Sequence, residues 1–187
     1  MATKESNATI ANPAPLGLLS FGMTTVLLNL HNAGILPLSG VILAMGLCLG
    51  GAAQIIAGVM EFKKNNTFGA TAFTAYGFFW WSLVLIWLNP FVGIAKADET
   101  SMGFYLLLWG IFSAFMFIGT LRHSRVAQFV FLTLTALFLL LSIADFTGSA
   151  TLKTVAGWVG LVCGLSAIYN SLAQIVNGEF DRKIMPL

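Results

Sequence analysis

The stretch Leu38–Met60, LSGVILAMGLCLGGAAQIIAGVM, holds no Asp, Glu, Lys or Arg. It has the ~20-residue length that an α-helix needs to cross a bilayer core about 30 Å thick. A membrane-spanning β-strand would instead alternate apolar and polar side chains over about ten residues. No such alternation is present, and Gln54 is the only amide in the stretch. The reading is therefore a transmembrane helix, and the same pattern recurs on either side. Comparable apolar runs occupy Leu16–Leu30, Phe68–Leu88, Met102–Leu121, Val126–Ala144 and Val155–Val176. Allowing for their flanks, helices are expected over 14–30, 38–60, 68–88, 102–121, 126–144 and 154–176. The breaks read HNAGILP, EFKKNNT, NPFVGIAKADETS, RHSR, DFTGSATLKT and NGEFDRKIMPL, all rich in turn or charge signals. Short breaks make neighbouring helices antiparallel. The expected architecture is an all-α integral membrane protein, a six-transmembrane-helix bundle forming a single domain over 1–187.

Composition agrees. The chain has 187 residues, 58% hydrophobic and only 9% charged, with a mean hydropathy of +0.88. A soluble domain carries about 25% charged residues, so a cytosolic enzyme and a disordered chain are both excluded. A net charge of +2 is too small for nucleic-acid binding. Cys48 and Cys163 stand alone in apolar runs, and neither they nor the two distant histidines have the spacing of a metal or redox site. No cofactor is called for. The first run, with Pro13 and Pro15 at its start and no small-residue cleavage site after it, reads as a retained helix and not a signal peptide.

With six helices both termini share a side. That side carries Lys4, Lys63, Lys64, Arg122, Arg125, Arg182 and Lys183, against Lys96 and Lys153 on the other. The positive-inside rule then puts both termini in the cytoplasm. Gly46–Gly50 and Gly160–Gly164 are small-x-x-x-small pairs, which let membrane helices approach closely.

Ionisable groups within a membrane usually mark function, and here they sit only at helix ends: Glu61, Asp145 and His31. No carboxylate pair, Ser–His pair or His–Asp relay lies at mid-membrane. This argues against an enzyme such as an intramembrane protease, and against a transporter with a buried carboxylate switch. Uncharged polar groups remain. Thr and Ser, Thr24 among them, can bond their own helix backbone. Gln54, Gln128, Asn170 and Gln174 cannot satisfy all their hydrogen-bonding sites locally, so they either join helices or line a wet path. Helical spacing places Phe21 with Thr24, Tyr76 with Phe73 and Trp80, and Gln128 with Phe131 and Leu134. Such mixed faces suit a narrow pore for a small, partly apolar solute. The segment Asn12-Pro-Ala-Pro-Leu-Gly-Leu18 reads as a helix start, with Asn12 as cap. Its partial positive charge would attract a small anion.

NPAPLGL followed by Phe21-Gly-Met-Thr-Thr25 resembles the signature of the acetate uptake transporters, the succinate–acetate/proton symporter type. The resemblance continues through LLNLHN (27–32), GGAAQIIAG (50–58), NTFGATAFTAYG (66–77), LLWGIF (107–112) and AGWVGLVCGLSAIY (156–169). It implies a homo-hexamer with a pathway in each protomer, in a fold similar to proton-gated urea channels. It implies passage of acetate and other small carboxylates, succinate among them, with a proton. It implies a constriction of Phe21, Tyr76 and Leu134, with Ala167 at a position tied to substrate size. Asn12, Thr24, Gln54, Gln128 and Asn170 are expected along the substrate pathway. The short N-terminal tail resembles prokaryotic members, which implies a prokaryotic inner membrane. With no ionisable group at mid-membrane, the proton is expected to travel with the substrate. Two other readings stay open on the residues alone: a channel for a small neutral solute or ammonia, and a non-transporting structural membrane protein.

Overall fold

The computed structural model describes residues 10–187; Lys4, counted above among the cations of the terminal side, lies outside them. Among the described residues, six helices are long and apolar enough to cross a membrane. They are α1 (Ala14–Asn32), α2 (Gly40–Lys63), α3 (Thr67–Leu88), α4 (Glu99–Arg122), α5 (Arg125–Thr147) and α6 (Ala150–Glu179). Four of these starts are set by a side chain in the preceding break. The side chains of Asn66, Asp98, Ser124 and Ser149 accept the N–H groups of Gly69, Ser101, Ala127 and Leu152 in their respective helices, α3, α4, α5 and α6. Such caps satisfy amides that no turn of helix can reach. They also explain why α4 and α6 begin earlier than the apolar runs suggest, at Glu99 and Ala150. At α1 the cap position falls on Pro13, and Asn12 Oδ1 accepts the Ala14 N–H at 3.3 Å.

Glycines decide how the helices meet. α1 lies along α6 with almost no side chain between them. A Cβ on Gly22 would come 2.8 Å from the Gly164 carbonyl oxygen, and one on Gly164 equally close to that of Gly22. A Cβ on Gly160 would run into the amide of Asn29, a buried side chain that bonds the Thr25 carbonyl oxygen at 2.9 Å. Ser171 Oγ donates to the Pro15 carbonyl oxygen at 2.6 Å and ties the other end of the pair. α5 packs on both α4 and α6, and α2 packs on α3. α3 meets α4 mainly through side chains. Tyr76 reaches Ser113, and Ser82 reaches Tyr105 at 2.7 Å.

α2 is not a uniform helix. Residues Gly46–Ala53 form a π-helical segment of wider turns. Trp81 Nε1 donates to the Leu47 carbonyl oxygen within this segment at 2.9 Å. An extra residue in the turn rotates everything after it by about 100°. Gln54, the first residue beyond the segment, is thereby aimed into the bundle and is buried.

Candidate functional site

A cavity of about 400 Å³ enters the bundle from the side that carries the chain ends. Its mouth is formed by helix ends and breaks, including Ala14, Asn66, His123 and Gln174. Its inner end reaches Phe21, Tyr76 and Leu134. Phe21 lies seven residues into α1 from Ala14, about 10 Å deeper. All three inner residues are buried. The rings of Phe21 and Tyr76 are 6.0 Å apart at 47°. Past them the bundle is filled by buried Leu28, Phe79, Trp80 and Phe138.

Tyr76 is held from several directions. Its ring stacks on Phe138 at 10° and meets Phe112 edge-on at 5.4 Å. Its hydroxyl lies 2.8 Å from Ser113 Oγ, and Ser113 Oγ donates to the Trp109 carbonyl oxygen at 2.7 Å. Ser113 has one hydrogen, so in this bond the Tyr76 O–H is the donor. The tyrosine therefore anchors its hydroxyl in α4 and presents an aromatic surface to the cavity.

Gln54 and Asn170 also line the cavity. Gln54 Oε1 is buried with no partner among the described residues, which makes it a free acceptor among the residues of the wall. Asn170 Oδ1 accepts from Gln174 Nε2 at 3.1 Å, and Gln174 Oε1 accepts from Asn12 Nδ2 at 3.2 Å. Asn12 Oδ1 in turn accepts from Lys64 Nζ at 2.9 Å. This amide chain leads from a lysine at the mouth to the cavity interior.

The remaining expected residues lie off the wall. Asn12 is exposed at the mouth and reaches the wall only through Gln174. Thr24 is buried and donates to the Ser20 carbonyl oxygen at 2.8 Å. Gln128 Nε2 turns back to the His123 carbonyl oxygen at 3.1 Å, so it braces the break before α5. Ala167 is fully buried in the apolar core together with Phe21 and Tyr76. Sequence reading passed over Asn66, His123 and Leu187 on the wall. It also treated Glu61 as a helix-end charge, whereas its side chain is 0% exposed. Glu61 Oε2 accepts from Asn66 Nδ2 at 2.7 Å, and Oε1 has no partner among the described residues. The EFKKNNT break held the signal, because an acid five residues before an asparagine across a helix end can fold back onto it.

A six-helix membrane bundle enclosing a part-polar cavity, with a buried phenylalanine, tyrosine and leucine on its inner wall, has the form of a solute channel or transporter. The comparisons narrow this class. The chain belongs to the GPR1/FUN34/yaaH family, whose model matches residues 1–183. It is 55% identical over 182 residues to the succinate-acetate/proton symporter SatP of Escherichia coli strain K12, covering 97% of each chain. It is 34% identical over 195 residues to acetate permease A of Emericella nidulans, covering 95% of this chain and 65% of that one. Its fold matches the solved structure of the bacterial acetate channel SatP with a TM-score of 0.93 and 54% identity, covering 96% of this chain and 99% of that one.

Proposed function

We propose that this protein carries acetate and related short-chain carboxylates, succinate among them, together with a proton, across a bacterial inner membrane. The pathway runs through each protomer of a homo-hexamer, and the chain ends face the cytoplasm. The observation that carries this reading is the cavity itself, lined by a free amide acceptor at Gln54 and closed by Phe21, Tyr76 and Leu134. The likeness to proteins described as an acetate symporter, channel and permease supports it. The lysines and arginines on the terminal side, Lys63, Lys64, Arg122, Arg125, Arg182 and Lys183, support the orientation.

The chemistry follows from size and charge. Acetate is almost wholly ionised at pH 7, because a simple carboxyl titrates near pH ~4. A bare carboxylate in a dry constriction has a large desolvation cost. The neutral acid avoids it and can donate its O–H to an acceptor such as Gln54 Oε1. The ionised form is favoured at the mouth, where Lys64 and the amide chain of Asn12 and Gln174 stand. The aromatic surfaces of Phe21 and Tyr76 then suit the methyl end. The proton thus travels with its substrate, and the constriction excludes water and hydrated ions.

Competition tests this reading. In proteoliposomes holding the purified protein, acetate uptake should be inhibited by unlabelled succinate and formate and unaffected by urea and ammonium. Inhibition by urea or ammonium in place of carboxylates would transfer the pathway to a neutral solute. Flux no greater than in empty liposomes would leave a structural protein.

A further inference from the structure

We propose that Asn177 is a positioning residue of the pathway: it latches the segment Ile184–Leu187 against α6 so that Leu187 narrows the mouth of the cavity. The inference rests on reading the cavity as the transport pathway. Asn170, Gln174 and Asn177 recur at i, i+4 and i+7 and share one face of α6. The first two line the cavity. The third is spent wholly on the chain that follows the helix. Asn177 Oδ1 accepts from the Ile184 N–H at 2.7 Å and the Met185 N–H at 2.8 Å, and Nδ2 donates to the Met185 carbonyl oxygen at 2.8 Å. One side chain thus fulfils three of the four hydrogen bonds an asparagine can make, all with two adjacent residues of the segment.

The segment arrives there by a reversal just beyond α6. Asp181 adopts a left-handed backbone with φ +48°, and the Arg182 N–H returns to the Asn177 carbonyl oxygen at 3.3 Å. A second anchor lies eight residues back along α6, about 12 Å from Asn177. There the Tyr169 hydroxyl donates to the Pro186 carbonyl oxygen at 2.8 Å. These two attachments fix the register of the segment, and Leu187 then joins the cavity wall beside Gln174 and Asn170.

A tail in water has no need of such a clamp, because water satisfies its peptide groups. What the clamp achieves is placement: a one-residue slip would take Leu187 off the wall. The contacts are few and part-exposed, which puts the latch among the elements that open well before the bundle unfolds. Latched, the mouth is narrow and apolar on this side. Released, it is wider and wetter.

The test is thiol labelling of the cavity wall in membranes. Cys48 and Cys163 are replaced by alanine, and Ala127, a wall residue, is changed to cysteine. A water-soluble methanethiosulfonate reagent is then applied from the terminal side. With Asn177→Ala, labelling of the wall cysteine is expected to accelerate about tenfold, reflecting the loss of three hydrogen bonds. Leu187→Ala, which keeps the latch but removes its side chain from the wall, should also accelerate it. Asn177→Asp retains both accepted N–H bonds and should stay within about threefold of the parent. Labelling of the Asn177→Ala and Leu187→Ala variants within about twofold of the parent would overturn the proposal. Should Asn177→Ala fail to fold, Tyr169→Phe and Leu187→Ala decide in the same way. Protection of the parent by acetate is measured alongside. Absence of protection counts against the pathway reading alone, because the labelling rates need no substrate.

Discussion

Replacing Ser113 with alanine should loosen the constriction without touching it. Tyr76 is 2% exposed, and its hydroxyl has Ser113 Oγ as its hydrogen-bond partner at 2.8 Å. Removing that oxygen leaves a buried O–H without an acceptor, which costs about 1–3 kcal/mol. The cost falls on the observed ring position and not on rotated ones that reach water in the cavity. Since ~1.4 kcal/mol is a factor of ten, the ring should leave its place roughly five- to a hundredfold more often. If the ring limits passage, acetate flux in proteoliposomes rises, by about twenty- to thirtyfold at the middle of that range. Tyr76→Phe supplies the control. It removes the hydroxyl while Ser113 keeps its bond to the Trp109 carbonyl oxygen, so no donor is stranded. In the Tyr76→Phe background, Ser113→Ala should change flux by less than about twofold. Equal effects of Ser113→Ala in both backgrounds would show that the Tyr76–Ser113 bond does not hold the ring, as would a single variant with parental flux.

Other perturbations probe separate parts of the account. Glu61→Gln should leave stimulation of acetate uptake by a pH gradient intact, since the proton is carried by the substrate; loss of stimulation with counterflow preserved would put the proton on Glu61. Gly160→Ala forces a methyl into the Asn29 amide, and thermal unfolding in detergent should show a loss of about 1–3 kcal/mol. Gly178→Ala meets nothing within 4 Å in the last turn of α6, and the same assay should show no loss. Asp98 caps α4, and the Ser101 N–H and hydroxyl hold its carboxyl below the usual carboxylate range. Its contribution is therefore present above the ordinary carboxylate range and disappears as pH falls through the lowered value. Hydrogen exchange at Ser101 should accelerate on acidification, and Asp98→Ala should remove that pH dependence.

Much of the fold was legible because a bilayer tolerates so few alternatives. An uncharged run such as Leu38–Met60 can only be a buried or membrane helix, and the breaks between runs hold the caps Asn66, Asp98, Ser124 and Ser149. What stayed hidden depended on local departures from regular helix. The π-helical segment Gly46–Ala53 turns Gln54 inward, and no 3.6-residue period announces it. Gln128 shares a face with Phe131 and Leu134 by spacing, yet its long side chain reaches back to satisfy the His123 carbonyl oxygen. Glu61 looked like a solvated helix end, but the return of the chain through Asn66 covers it. The three amides of α6 were spaced to share a face, and only the backbone shows that Asn177 faces the returning segment and not the cavity. Periodicity reports which residues share a face. It does not report what a flexible amide finds within reach.

On the proposed function, a carboxylate and a proton cross together past Phe21, Tyr76 and Leu134. Labelled acetate uptake into proteoliposomes, with and without an inwardly directed proton gradient, tests it most directly when run beside Tyr76→Ala. The account predicts saturable uptake that the gradient stimulates in the parent, and altered uptake when the Tyr76 ring is removed. Uptake indifferent to both the gradient and the variant would contradict it.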